Sequence, residues 1–233
     1  APEQGGAPPE PIAGLSFDVP LTGVTGELQD TTRYARVAKM GAAPTFLGSD
    51  WSLKNRTFFA DFESGDFAGW AMGRGQPATF TTDLEAAVGT LSLKLVQGPN
   101  NGKSQALIQD ISGKPFYISF YARVSATDVS AGTLDILGGG GLTPILFNFE
   151  PTGMGVEREN NVRTEVPFLA DTWYRIELRH INWPGREFDY YVDGVLIARK
   201  VPFFASVPSM TSLELYSLTA NSVTWWDHIE MWD

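Results

Sequence analysis

From Phe58 to the C-terminus the chain is a succession of short runs rich in Phe, Tyr, Val, Ile and Leu, each closed by a cluster of Gly, Pro, Asn or Asp. Runs this short, punctuated this often, leave no room for a helical framework and read as an all-β sandwich. Strands are expected near residues 58–63, 90–96, 104–109, 115–125, 132–137, 144–150, 173–181, 187–193, 195–201, 211–218 and 222–231. Val192-Asp193-Gly194-Val195 lies between two of these runs, and its Asp-Gly pair suits a type I′ hairpin turn.

The chain has 233 residues, 43% of them hydrophobic, enough to bury one substantial core. It carries no cysteine, which excludes a disulfide scaffold, thiolate metal sites and a cysteine nucleophile. Its 17 Lys and Arg face 27 Asp and Glu, for a net charge of −10 without any basic run, so nucleic acid is not an expected partner. No apolar run approaches the roughly 20 residues that cross a bilayer, and no membrane span is expected. Residues 1–14, opening APEQGGAPPEP, read as a flexible N-terminal spacer. Beginning on Ala1, the spacer is expected to follow a removed signal peptide or lipoprotein anchor, unless the chain has simply been trimmed there. Residues 15–57 form an N-terminal extension without clear periodicity, in which Asp30-Thr31-Thr32 could cap one short helix through Tyr34, Val37 and Met40 to Gly41. Residues 58–233 form the β domain. Asn55-Arg56-Thr57 is a lone glycosylation sequon, of consequence only in a eukaryotic secretory route.

Strand faces say more, because successive side chains leave a strand on opposite sides. In 116–125, Ile118, Phe120, Ala122 and Val124 alternate with Tyr117, Ser119, Tyr121 and Arg123. In 144–150, Ile145, Phe147 and Phe149 oppose Leu146, Asn148 and Glu150. In 173–181, Tyr174, Ile176 and Leu178 oppose Trp173, Arg175, Glu177 and Arg179, and in 187–193 Phe188, Tyr190 and Val192 oppose Asp189 and Tyr191. If these strands share one sheet, its outward face carries Tyr117, Tyr121, Arg123, Asn148, Glu150, Arg175, Glu177 and Tyr191. Flat rings beside amide, carboxylate and guanidinium groups suit a sugar, whose C–H faces lie on rings while its hydroxyls meet the planar groups. The competing reading is an ordinary wet sheet face, with Arg and Glu in cross-strand pairs among β-favouring Tyr.

Thr172-Trp173-Tyr174-Arg175-Ile176-Glu177-Leu178, followed by Phe188-Asp189-Tyr190-Tyr191-Val192-Asp193-Gly194, resembles the laminin-G and concanavalin A-like lectin/glucanase families, in which a Trp-led strand pairs with a strand ending in a Tyr-Val-Asp-Gly hairpin. Phe59-Ala60-Asp61-Phe62-Glu63 through Gly69-Trp70 is similar to their first strand and turn, and Gly89-Thr90-Leu91-Ser92-Leu93-Lys94-Leu95 to the strand that follows. Trp226-Asp227-His228-Ile229-Glu230-Met231 is similar to their closing strand. The resemblance covers residues 58–233 and implies a two-sheet antiparallel jelly-roll sandwich with a concave face that commonly binds glycans. It also implies a structural Ca²⁺, held by the closing-strand Asp, here Asp227, with Asp61 or Glu63 from the first strand. Calcium favours several hard oxygens of this kind. The alternative is that Asp227 binds backbone groups at the sheet rim without metal.

Catalytic motifs of that fold are missing. Retaining glucanases carry E-x-D-x-(x)-E, since glycoside hydrolysis needs two carboxylates about 5 Å apart; here Glu157-Arg158-Glu159 places two acids at period-2 spacing, in a Gly-flanked polar segment that lacks the full motif. Arg175-Ile176-Glu177-Leu178-Arg179 resembles the R-x-E-x-R strand of jelly-roll polysaccharide lyases, with His180 and Tyr191 as candidate acid or base. The Gln-x-His and Tyr-x-Lys strands of those lyases do not occur. His180 and His228 have no metal-ligand spacing partner, and Gly138-Gly139-Gly140-Gly141 lacks the Lys and Ser/Thr of a phosphate loop. Trp183, in an Asn-Trp-Pro-Gly turn, is either a sugar platform or rim packing. The expected function is a secreted, periplasmic or cell-surface carbohydrate-binding module that takes a poly- or oligosaccharide without cleaving it. The alternatives are a glycoside hydrolase or polysaccharide lyase on the same face, and an adhesive domain whose face meets another protein.

Overall fold

A computed structural model describes residues 55–233. Its strands, in order, are β1 (Arg56–Ala60), β2 (Ala71–Met72), β3 (Ala78–Asp83), β4 (Ser92–Gln97), β5 (Leu107–Gly113), β6 (Tyr117–Val124), β7 (Ala131–Gly138), β8 (Ile145–Glu150), β9 (Gly153–Arg158), β10 (Val162–Val166), β11 (Tyr174–Asn182), β12 (Glu187–Val192), β13 (Val195–Pro202), β14 (Met210–Tyr216) and β15 (Val223–Trp232). The spacer, the extension to residue 54 and the helix expected at 30–41 lie outside the described residues.

Two antiparallel sheets result. The first runs β13-β12-β11-β6-β15-β4-β3, with β1 paired to the C-terminal half of β15 where β4 has left it. The second runs β10-β9-β8-β7-β14-β5-β2. The inward halves of the alternating strands meet between the sheets: Ile118, Phe120 and Ala122 of β6, Ile176 and Leu178 of β11, and Leu134, Ile136, Phe147, Met154 and Leu213 of the second sheet are all fully buried. Phe120 packs edge-on to Phe147 across the gap, ring centroids 5.2 Å apart, and tilted against Trp226 at 5.8 Å. Such pairs add to the area they bury and lock the facing of the two layers. No helix among the described residues is long and apolar enough to cross a membrane.

The expected hairpin forms as read. Asp193 and Gly194 both take positive φ, 50° and 78°, as a type I′ turn requires, between β12 and β13. Four strands escape the sequence reading: β2, β3, β9 and β10. Thr-rich β3 carries a single large apolar residue, Phe80, and glycines at 153 and 155 make β9 resemble a turn. The gap at those glycines is filled by a neighbour instead. A Cβ on Gly155 would stand 2.2 Å from the Thr164 carbonyl oxygen of β10, so only glycine lets the two strands approach there. Glu157 ends in β9 while Glu159 falls in the short 3-10 turn that follows, so the two acids do not line one strand.

One placement changes the reading of the outward face. β6, β11 and β12 are neighbours in the first sheet, but β8 belongs to the second. Asn148 and Glu150 therefore lie on the opposite outer surface from the other six residues. Alternation assigns a side chain to a face of its own strand; it says nothing about which sheet takes the strand.

Candidate functional site

The register of β6, β11 and β12 assembles the first-sheet face. Tyr121 stands opposite Arg175, Ser119 opposite Glu177, and Glu177 opposite Tyr191. Glu177 is fully buried at the centre. Its Oε1 accepts from the Tyr117 hydroxyl at 2.8 Å and from Arg179 at 3.0 Å, and its Oε2 from Arg179 at 2.9 Å. Arg175 lies 3.3 Å from Oε1 and donates to the Tyr117 oxygen at 2.9 Å. The Arg179 guanidinium sits 4.0 Å over the ring of Tyr191. Two guanidiniums and a phenol thus share one carboxylate in a low-dielectric setting, where such hydrogen bonds are strong and their loss is costly. Burial pushes the hydroxyls of Tyr117 and Tyr121 above the ordinary phenol value, so both remain protonated near neutrality.

Arg123 extends the same face toward the strand ends. It donates to Glu85 at 2.6 Å and Asp171 at 3.0 Å and covers the Trp225 ring at 4.5 Å. The first sheet therefore brings together Tyr117, Tyr121, Arg123, Arg175, Glu177 and Tyr191, with Trp225, His228 and Glu230 of β15 beside them, and its charged groups meet in cross-strand and loop pairs. His228 occupies a bulge in β15, φ 46°, with its ring 4.9 Å from Phe59 and 6.4 Å from Tyr121. Burial lowers its pKa, so it stays neutral. Trp183 is no platform: it is 4% exposed, packs on Phe203 at 5.3 Å and donates its indole N–H to the Pro115 carbonyl.

The carboxylates expected to hold calcium have other partners. Asp227 Oδ2 accepts from the main-chain N–H of Ala87 at 2.9 Å and Val88 at 2.8 Å. Glu63 accepts from the N–H of Thr90 and Leu91 at 2.7 and 2.8 Å and from the Thr90 hydroxyl at 2.5 Å. The main-chain N–H of Leu91, then the Thr90 hydroxyl and N–H, hold Glu63 below the ordinary carboxylate value. Asp61 accepts from its neighbour Glu63 at 3.2 Å. Among the described residues no three metal-ligating side chains come together. Asp227 Oδ2 and both Glu63 oxygens accept hydrogen bonds, while Asp227 Oδ1 is buried without a partner among the described residues. Asp227 and Glu63 act as pins, closing the β3–β4 loop onto the first and last strands.

The second sheet has its own polar outer face, which sequence reading scattered. Asn148 and Glu150 lie there with Thr133 and Asp135 of β7, Glu157 of β9, Arg163 and Glu165 of β10, and Glu214 and Tyr216 of β14. Arg163 reaches across three strands, bonding Asn148 Oδ1, Glu157 at 3.2 Å, Glu165 at 2.7 Å and the Gly153 carbonyl at 3.2 Å. Asn148 also donates to Glu150 at 2.9 Å, and Ser130 bonds the other Glu150 oxygen. The signal for these residues was present: Asp135 alternates with Leu134 and Ile136, and Glu214 with Leu213 and Leu215. What was missing was the knowledge that β7, β8 and β14 are neighbours.

No protein-family model and no curated protein matches the chain. Solved structures do. A cellulose induced protein, Cip1, superposes with a TM-score of 0.59 at 17% identity, covering 75% of this chain and 96% of that one. An endo-β-1,4-glucuronan lyase from the fungus Trichoderma reesei gives 0.56 at 15% identity over 76% and 95%. A sialidase gives 0.60 at 15% identity over 76% of this chain, which spans only 18% of the sialidase. At these identities the likeness establishes the fold, a concanavalin A-like jelly-roll sandwich.

Proposed function

We propose that the protein is a carbohydrate-binding module, secreted or held at a cell surface, that takes a poly- or oligosaccharide on the first-sheet face without cleaving it. The observation that carries this reading is the half-buried strip Tyr121, Arg175, Arg179 and Tyr191, rings and guanidiniums held rigid from beneath by the buried Tyr117 and Glu177. Preorganisation of that kind lowers the ordering cost of binding, and rings beside guanidinium and carboxylate groups match the two-sided chemistry of a sugar. Binding is favoured over cleavage because the one carboxylate at the centre has both oxygens engaged by Tyr117 and Arg179, and the Tyr117 and Tyr121 hydroxyls are held protonated. The fold neighbours bear names of proteins that act on carbohydrates, a lyase and a sialidase among them, which is consistent with a saccharide ligand.

Affinity electrophoresis on a panel of neutral and acidic polysaccharides tests it. At least one gel is expected to retard the protein, and Tyr121→Ala with Arg175→Ala together should remove most of that retardation while the protein still melts cooperatively. Retardation that survives the double substitution overturns the placement; release of reducing ends or unsaturated products overturns the non-catalytic reading.

A further inference from the structure

A cavity of about 540 Å³ opens at the β11–β12 hairpin end of the first sheet. Its walls include Lys114 and Phe116 from the β5–β6 connection, His180 and Asn182 of β11, Asp189 of β12 and Lys200 of β13. Pockets that enclose small ligands run from about 300 to about 1,000 Å³. Two bulges shape this one. The register slips between Arg179 and Asn182 where β11 meets β12, and between Phe188 and Tyr190 where β12 meets β13. His180 and Lys200, at these slips, take left-handed φ of 56° and 53°, which a non-glycine residue keeps only where its surroundings hold it. Asp189 holds both: its Oδ2 lies 2.6 Å from His180 Nδ1, and its Oδ1 accepts the Lys200 main-chain N–H at 2.9 Å. A bulge re-aims a side chain, and here both re-aimed side chains border the cavity.

The lysines say what it takes. Four of them lie among the described residues. Lys94 and Lys103 are held by carboxylates at 2.8 and 2.5 Å. Lys200 has Glu187 at 3.9 Å, with its side chain 77% exposed, and Lys114 has no acidic partner among the described residues. The two without a close carboxylate are thus the two that border the cavity, in a chain whose net charge is −10. Phe116, half-buried with its ring 5.8 Å from that of His180, adds an apolar wall, and Asn182 and His180 add polar ones. A ring with a C–H face, hydroxyls and an anionic group matches these surfaces. The cavity also continues the first-sheet strip. Arg179 stands opposite Asp189 and Glu177 opposite Tyr191, so Asp189 lies about 7 Å along β12 from Tyr191.

We propose that this cavity is a second ligand site, for an acidic sugar at the end of a chain, whose carboxylate is taken by the ammonium groups of Lys114 and Lys200 while its ring lies on Phe116. That the carboxylate is borne on a sugar rests on the carbohydrate reading above; that the cavity takes a ring-borne carboxylate does not.

The chain has two histidines, and each reports on one site: His180 borders the cavity, and His228 stands beside Tyr121 on the strip. The test follows their ring C–H signals by proton NMR in the full chain during titration with glucuronate, glucuronate oligomers, glucose and benzoate. His180→Asn identifies the His180 signal, since Asn tolerates left-handed backbone. Glucuronate is expected to shift that signal saturably and to bind at least about tenfold more tightly than glucose, which lacks the charge. Its oligomers are expected to move both signals. Lys114→Met with Lys200→Met, both at exposed positions, is expected to weaken glucuronate binding by about tenfold and to leave glucose unchanged. A His180 signal that glucuronate leaves in place, equal affinity for glucose, or unchanged affinity in the double variant overturns the proposal. Benzoate bound more tightly than glucuronate overturns the sugar in favour of an aromatic acid. Oligomers that move His228 alone overturn the cavity and leave the first-face reading standing; glucuronate that moves His180 in a protein no polysaccharide retards does the reverse.

Discussion

At the scale of single residues, burial decides the ionisation of the acids that matter. Asp227 is fully buried, and removal from water pushes its carboxyl up to about 7 against the pull of the Val88, Ala87 and His228 main-chain N–H groups. Asp135 moves in the same direction, to about 6, for the same reason. A carboxyl whose folded pKa lies above its unfolded value holds a proton that the unfolded chain has already released, so these groups make stability fall as pH rises from about 4 toward 7. Thermal melts near pH 5 and near pH 8 should show the wild type more stable at the lower value through this contribution. Asp227→Asn keeps an oxygen for the Ala87 and Val88 N–H groups and is expected to shrink that difference; an equal difference in the variant would count against the assignment. Glu177 shows the complementary case, a buried carboxylate matched by two guanidiniums and a phenol. Its period-2 position placed it on one face with Arg175 and Arg179, but nothing local announced that Tyr117, sixty residues away, would converge on it.

At the scale of strands and turns, the same residue type does unlike jobs. Gly194 serves the β12–β13 turn by its left-handed φ of 78° and has open space where a side chain would go. Gly155 serves the β9–β10 pair by being small, with β10 backbone where a Cβ would stand. Gly194→Ala is therefore expected to cost about 1 kcal/mol, from the left-handed backbone alone. Gly155→Ala should cost more than about 2 kcal/mol, because two strands must separate. Urea unfolding of both variants decides it, and equal losses would refute the distinction. The Asp193-Gly194 turn was readable because its chemistry is local. β9 and β10 were not, because their stability comes from Arg163 and from the close approach at glycine, both of which are non-local.

At the scale of the whole molecule, acidic side chains just after the first strand and on the last pin a loop between them. Asp227 on the last strand and Glu63 after the first both grip the β3–β4 loop through its N–H groups. Melting temperatures in EDTA and in calcium-containing buffer are accordingly expected to agree within about 1 °C, since a ligand bound only to the folded state would raise the midpoint measurably. A drop of several degrees on chelation, with metal recovered stoichiometrically, would restore a calcium site. The two outer faces also acquire their characters at this scale, one aromatic and internally paired, the other acidic and tied across by Arg163.

Alternation of apolar and polar residues, short strand lengths and turn chemistry were sufficient to specify an all-β sandwich and the outward direction of nearly every residue discussed, because these are properties of a strand and its immediate neighbours in the chain. Which strands became neighbours was decided only by tertiary structure. Asn148 and Glu150 left the face on which sequence placed them because β8 pairs with β7 and β9, and Asp135, Glu214 and Tyr216 met because β14 docks beside β7. Partner choice in an antiparallel sheet depends on how inward side chains such as Phe120, Phe147 and Trp226 interlock across the core, and that packing is written in three dimensions rather than along the chain.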